Sequence, residues 1–142
     1  MASTITASKL KVTIREDIKL NGVDQGGVST LSIGSINEIS KRIVTVTTTE
    51  STIATFSSAV ASAGHYVAAD VRYIRFTNLD DTNFITLTFR NQDNDEVAIK
   101  LDAGQSFIFN GDNSNGMTAV FNATEDADAA SSTNFGSLTN IQ

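Results

Sequence analysis

Large apolar residues recur at every second position through much of the chain. In the first run Leu10, Val12 and Ile14 alternate with polar residues, and the spacing continues to Ile18 and Leu20. Successive side chains of a β-strand point to opposite faces, so this period predicts half-buried strands with one face on a core. Later segments repeat the spacing at Ile74 and Phe76, at Ile85, Leu87 and Phe89, and at Val97, Ile99 and Leu101.

Clusters of Asn, Asp and Gly separate these runs and predict turns. Asn21-Gly22 and Asp24–Gly27 interrupt the first two runs, Asn78–Asn83 and Asn91–Asp95 predict hairpin connections, and Ala103-Gly104 predicts a further turn. The spacing allows about eight or nine short strands, as in sandwich folds. The sequence therefore predicts an all-β fold, namely an antiparallel β-sandwich, with a jelly roll as one form of it.

The chain has the length of one ordinary domain, 142 residues. We expect the sandwich to span residues 9–122, between a short polar N-terminal arm (residues 1–8) and a polar C-terminal tail (residues 123–142). Both ends are poor in large apolar residues, so we expect them to be mobile unless a partner orders them. Residues 57–66 are rich in Ala and Ser, which fits either a short helix or a packed loop.

Composition excludes several classes of function. The formal net charge of −6 disfavours general binding to nucleic acid, because an acidic surface repels phosphate. Cysteine is absent, which removes disulfides, thiolate metal sites and thiol nucleophiles. The N-terminus lacks the pattern of a signal peptide, and no apolar stretch is long enough to cross a bilayer. We therefore expect synthesis and assembly in a cytoplasm, without contact with a membrane.

Residues suited to catalysis are sparse. The only histidine, His65, lies in the small-residue segment without a recognisable nucleophile or orienting carboxylate nearby in sequence. Paired carboxylates could indicate glycoside chemistry, but such sites and glycan-binding modules use aromatic platforms, and this chain has no Trp and 7% aromatic residues. The prediction is a non-enzymatic protein without catalytic residues or a cofactor. The carboxylates in question are Asp80, Asp81, Glu125, Asp126 and Asp128.

One segment partly matches a calcium-binding loop. Asn91, Asp93 and Asp95 occupy alternate positions, but Glu96 stands where the motif needs Gly and Asp102 where it needs Glu. A solvated hairpin tip is therefore the favoured interpretation, and no metal site is predicted. Threonines at 45 and 47–49 are interpreted as polar residues on the outer face of a strand.

Two features favour a role in assembly. Proline is absent, so it blocks no strand edge, and a free edge can accept a strand from another subunit. A basic stripe also lines one face of the first run in an otherwise acidic protein, which predicts either a solvated face or a contact with an acidic neighbour. The stripe consists of Lys9, Lys11, Arg15 and Lys19.

Four segments resemble short β-rich proteins that tailed bacteriophages, particularly those of marine bacteria, encode among their structural genes. The resemblance extends from about Lys9 to Phe121 and rests on the texture of strands and turns, without a reactive motif. The segments are Lys9–Gly26 (KLKVTIREDIKLNGVDQG), Lys41–Val46 (KRIVTV), Val71–Phe84 (VRYIRFTNLDDTNF) and Leu101–Phe107 (LDAGQSF).

The resemblance implies a virion structural protein. The leading hypothesis is a capsid decoration or cement protein, expected to be a homotrimer on the outside of the phage head, with the major capsid protein and copies of itself as partners. The alternative within the virion is a tail or fibre-attachment component. A receptor or glycan-binding module is a third hypothesis.

Overall fold

The computed structural model describes residues 4–57, 63–91, 93–110 and 138–142, which form two compact units, residues 1–43 and 44–142. The described part is almost entirely β-structure, with one 3₁₀ turn at Ala68–Asp70, so the all-β prediction is confirmed. The strands are β1 (Ser8–Glu16), β2 (Lys19–Leu20), β3 (Val23–Asp24), β4 (Gly27–Ile36), β5 (Ala54–Ser57), β6 (His65–Val67), β7 (Tyr73–Thr77), β8 (Ile85–Asn91), β9 (Glu96–Leu101), β10 (Ser106–Asn110) and β11 (Leu138–Ile141).

Unit 1 contains a single long β-hairpin, here named the ribbon (Ser8–Ile36). Its stem is the antiparallel pair β1–β4, and its tip is the short pair β2–β3. Asn21 and Gly22 both have positive φ, +49° and +79°, as a two-residue turn of the primed type requires. The Asn-Gly turn that interrupts the first two runs is thus the tip of this hairpin.

Unit 2 is built on a five-stranded sheet with the order β6-β5-β11-β8-β9. The β8–β9 hairpin is in full register from Ile85↔Leu101 to Arg90↔Glu96 and turns at Asn91–Asp95, as the sequence predicts. The β5–β6 pair is parallel, which departs from the wholly antiparallel arrangement that was expected.

A second sheet of two strands, β7 and β10, shares a core with the five-stranded sheet. Phe89 of β8 is fully buried and makes ring contacts with Phe76, Phe107 and Phe109 of the second sheet, at centroid distances of 5.7–6.2 Å. These contacts place two sheets face to face, as in a small sandwich. The other buried residues of this core are Ala54, Phe56, Leu87, Leu101 and Ile141.

The C-terminal residues differ from the polar tail that the sequence predicts for residues 123–142. Leu138–Ile141 forms a central strand, which pairs with β5 on one side and with β8 on the other. Ile141 is fully buried, and its carbonyl accepts a hydrogen bond of 2.9 Å from the Ile53 N–H. Burial of the Ile141 side chain and pairing with strands on both sides stabilise this short strand in the sheet. Residues 123–137 lie outside the described residues.

Two further expectations differ from the structure. The Asn78–Asn83 segment does not close a hairpin, because β7 pairs with β10 while β8 belongs to the other sheet. The threonines at 45 and 47–49 lie in a stretch without strand structure, where Thr47 Oγ1 accepts a hydrogen bond from the Thr49 N–H. Residues 58–62 of the Ala/Ser-rich segment lie outside the described ranges, and His65 begins β6.

Candidate interaction surfaces

The two faces of the ribbon stem have different chemistry. Cross-strand pairs share a face, and the register pairs Leu10 with Ile33 and Val12 with Leu31 on an apolar face that also carries Ile14. On this face Ile33 is buried, whereas Ile14 and Leu31 are 47% and 38% exposed. An isolated two-stranded hairpin is only marginally stable in water. The exposed part of the apolar face is therefore a candidate contact surface.

The opposite face of the stem is basic. Lys11 lies opposite Ser32 and Arg15 opposite Val28, so both cations lie on the face that does not carry Leu10 and Val12. Arg15 forms an ion pair with Asp17 at 2.9 Å, and both side chains are at least 70% exposed, so this pair contributes little to stability. The structure thus confirms the predicted segregation of apolar and basic residues along β1. The predicted run does not continue to Leu20, because β1 ends at Glu16.

Short-range hydrogen bonds order the segment between the tip and the stem of the ribbon. The Gln25 N–H donates to the Ile18 carbonyl at 2.8 Å, and the Gly26 N–H donates to Asp24 Oδ1 at 2.9 Å. At Gly26 a Cβ atom would lie 2.0 Å from the Glu16 carbonyl oxygen, so only glycine allows this close approach of two backbone segments. Three exposed apolar side chains, Ile18, Leu20 and Val23, surround the tip.

We expect Gly26→Ala to loosen the ribbon, because its backbone must shift to relieve the contact with Glu16. Gly34→Ala is the matched control, since a Cβ at Gly34 meets no atom within 4 Å. Amide hydrogen exchange along β1 and β4 measures the effect. Exchange should be faster by roughly tenfold or more in Gly26→Ala, corresponding to about 1–3 kcal/mol of strain. Equal protection in the two variants would contradict the steric role of Gly26.

Formal charge is divided unequally between the two units. Unit 1 contains six Lys and Arg against four Asp and Glu, which gives +2. Unit 2 contains four Lys and Arg against twelve Asp and Glu, which gives −8. The overall charge of −6 is therefore the sum of a positive charge on unit 1 and a larger negative charge on unit 2.

The segment that joins β7 to β8, residues 78–84, is here named the crossover loop, and buried Asn78 anchors it. The Asn78 Nδ2 group donates to the carbonyl oxygens of Asn83, Leu101 and Asp102 at 2.8–3.2 Å. Asn78 Oδ1 accepts from the Asp80 N–H at 3.1 Å, so both ends of the amide are used. One side chain thereby fixes the crossover loop to the end of β9.

Two large apolar side chains of the crossover loop remain exposed despite this order. Leu79 is 72% exposed and Phe84 is 59% exposed. The ammonium of Lys100 lies 4.6 Å from the centre of the Phe84 ring and 2.6 Å from an Asp102 carboxylate oxygen. With the carboxylates of Asp80 and Asp81, these residues form an apolar and acidic patch on a rigid support.

Asp80 stabilises the crossover loop as a capping residue. Its Oδ1 atom accepts hydrogen bonds from the backbone N–H groups of Asn83 and Thr82 at 2.7 and 2.8 Å. These hydrogen bonds lower the pKa of the Asp80 carboxyl below its ordinary value of 3.8. The bond from the Asn83 N–H makes the largest contribution and the bond from the Thr82 N–H the second largest. From the sequence, Asp80 is one of several carboxylates that could serve glycoside chemistry, and the structure places it in a loop-capping role.

Because its pKa is lowered on folding, Asp80 makes a contribution to the stability of the native state that changes with pH only under acidic conditions. A carboxylate whose pKa is depressed by folding stabilises the native state above its unfolded pKa, and this stability is lost as the pH falls through the folded-state pKa. We therefore expect the melting temperature of wild type to fall more steeply below pH 3.8 than that of Asp80→Asn. Asp81→Asn is the control, and its melting temperature should follow the wild-type curve. Parallel curves for wild type and Asp80→Asn would argue against the capping role.

The structure places the other candidate residues in a turn and in an edge strand of unit 2. Asn91 is 2% exposed, and its Oδ1 atom accepts from the N–H groups of Asp93 and Asp95 at 2.9 and 2.8 Å, which shapes the β8–β9 turn. His65 lies on β6 at an edge of the five-stranded sheet. Within the described ranges, no three His, Asp or Glu side chains are grouped as metal ligands, and no helix there is long and apolar enough to cross a membrane.

The sequence pattern does not reveal the patch on the crossover loop. It predicts a hairpin connection over Asn78–Asn83, a segment that includes Leu79 and ends before Phe84. The available signal was the occurrence of two large apolar residues in a segment otherwise composed of Asn, Asp and Thr. Such residues at the ends of a polar turn can mark a contact surface.

Comparison with known proteins identifies no relative of this chain. No protein-family model, no curated protein and no solved structure matches the chain.

Proposed function

We propose that this chain is a non-enzymatic structural protein of a tailed-phage virion, a decoration or cement protein that binds the outside of the head. In this role it stabilises contacts between subunits of the major capsid protein. Many identical weak contacts, repeated by the symmetry of the shell, add up to a strong reinforcement. The proposed location is the virion, after assembly in the host cytoplasm.

The observation that carries the proposal is the ribbon. A two-stranded element with exposed apolar residues on its stem and around its tip lacks the internal packing that a stable sheet has. Contacts with neighbouring proteins can supply that packing. The resemblance of Lys9–Gly26, which covers most of β1 and the whole tip, to phage structural proteins supports a structural role in the virion.

The first test is the copy number of the protein per particle, measured by quantitative mass spectrometry of purified virions against the major capsid protein. An abundance comparable to that of the capsid protein supports decoration of the head. A small fraction of that abundance overturns decoration in favour of a tail or fibre-attachment component. Absence from the virion overturns the structural proposal altogether.

A second test adds the purified chain back to heads that lack it. Wild type and Gly34→Ala should bind the heads and raise the temperature at which DNA is released. Gly26→Ala, which distorts the ribbon through the Glu16 contact, should bind with lower occupancy. Equal binding by Gly26→Ala and Gly34→Ala would show that binding to the head does not depend on the structure of the ribbon.

A further inference from the structure

We propose that the ribbon of one copy binds the crossover loop of a second copy. This inference rests on the proposed structural role and names the neighbour that the ribbon contacts. The two surfaces differ in charge and share exposed apolar side chains, so they complement each other.

Charge favours this pairing over a contact between two ribbons. The basic face of the ribbon exposes Lys11 and Arg15, and residues 8–36 carry four Lys and Arg against three Asp and Glu, so like charges oppose a contact between two basic faces. The crossover loop exposes Asp80 and Asp81 and belongs to a unit with a charge of −8. Electrostatic complementarity of this kind steers association and fixes the orientation of docking.

Apolar contacts can supply affinity at the same surfaces. Leu79 and Phe84 project from the crossover loop as two exposed anchors, 72% and 59% accessible. On the ribbon, Val28 is 67% exposed and lies directly opposite Arg15. An exposed apolar side chain and a cation are therefore neighbours on the same face of the ribbon. Aromatic residues are enriched at the centre of protein interfaces and the rim is polar, which fits an aromatic anchor such as Phe84 beside charged residues.

The order of the crossover loop lowers the entropic cost of binding. Asn78 ties the loop to the carbonyls of Leu101 and Asp102, and Asp80 caps the turn at Thr82 and Asn83. The loop therefore presents its two apolar side chains from a backbone that is already fixed. A preorganised surface loses less conformational freedom when it is covered.

The contact is heterologous, because it joins two different surfaces of the same chain. Each copy offers one ribbon and one crossover loop, so contacts propagate from copy to copy. A suitable rotation closes them into a ring, and any other rotation gives an open chain. A closed ring of three copies would agree with the homotrimer expected for a capsid decoration protein.

The test uses three full-length variants, Lys11→Glu, Asp81→Lys and the double variant, in sedimentation-velocity experiments at low and raised ionic strength. We expect each single variant to weaken self-association roughly tenfold or more at low ionic strength, and salt to reduce the difference. The double variant should regain association, because it restores opposite charges across the contact. An equimolar mixture of the two single variants should regain it as well.

Exposed residues outside the two surfaces serve as matched controls. Lys41→Glu and Asp93→Lys make the same charge changes at positions that lie outside the ribbon and the crossover loop, and they should associate like wild type. Far-ultraviolet circular dichroism of every variant confirms that the fold is retained.

Several outcomes would overturn the inference. A wild-type chain that stays monomeric at all concentrations would do so, as would weakening by Lys11→Glu alone, which indicates contacts between ribbons. Loss of association in both single variants without rescue would also overturn it. None of these results bears on the copy number in virions, so the inference and the proposed function are tested separately.

Discussion

Replacing Ile141 with Ala should lower the free energy of unfolding of unit 2 by about 3–5 kcal/mol, the upper part of the range for a fully buried aliphatic residue. Ile141 is fully buried and lies on the central strand β11, opposite Phe89 of β8 and Ala54 of β5. The substitution leaves a cavity between two halves of the sheet. A strand with neighbours on both sides has little freedom to move and fill it.

Urea unfolding followed by tyrosine fluorescence measures this loss. The chain has no Trp, and its two tyrosines, Tyr66 and Tyr73, both belong to unit 2, so the signal reports this unit. Val46→Ala is the matched control, because Val46 also belongs to unit 2, is 50% exposed, and its truncation should change stability by less than about 0.5 kcal/mol. Similar midpoints for the two variants would show that β11 is not part of the cooperative core.

Deletion of residues 138–142 should have a larger effect than Ile141→Ala. It removes the pairing of β11 with both β5 and β8, together with the hydrogen bonds that link the Thr88 N–H and carbonyl to Gln142 at 2.8 and 2.9 Å. The five-stranded sheet would then fall into two pairs of strands, neither of which is stable alone. We expect the truncated chain to lose cooperative unfolding.

Phe89→Ala should destabilise unit 2 by about 3–5 kcal/mol. Phe89 is fully buried, and its ring contacts those of Phe76, Phe107 and Phe109. The substitution therefore removes the centre of the contact between the five-stranded and the two-stranded sheet. Edge-to-face contacts among aromatic rings add to the loss from reduced burial.

The same fluorescence assay applies, with Phe84→Ala as the matched control. Phe84 is 59% exposed and contacts Lys100, so its truncation should cost less than about 1 kcal/mol. Phe84→Ala should nevertheless weaken self-association if the crossover loop is the contact surface. Comparable destabilisation by both substitutions would mean that Phe89 does not hold the two sheets together.

The sequence predicted the part of the interaction surface that depends on local pattern. The alternation of Lys11 and Arg15 with Leu10, Val12 and Ile14 is sufficient to place basic and apolar residues on opposite faces of a strand. The sequence could not show that, among the described strands, this strand pairs with β4 alone and leaves its apolar face partly exposed. That outcome depends on which other strands are available in the fold.

The crossover loop illustrates the opposite case. A polar segment between two strands reads as a hairpin turn whenever those strands are assumed to pair. Whether consecutive strands share a sheet is decided by long-range packing, here by the pairing of β7 with β10. The buried position of Asn78 follows from that topology, because its partners Leu101 and Asp102 lie far along the chain.

The sequence by itself determined the all-β class, the identity of the principal core strands and the tip of the ribbon, since each follows from a period of two or from a local Asn-Gly turn. Tertiary structure alone decided the division into two units, the crossing from one sheet to the other at residues 78–84, and the insertion of Leu138–Ile141 between β5 and β8. The physical reason is that side-chain alternation is a property of neighbouring residues. Strand pairing, in contrast, depends on the whole chain. The short segment Leu138–Ile141 forms a strand because β5 and β8 provide hydrogen-bond partners on both of its sides.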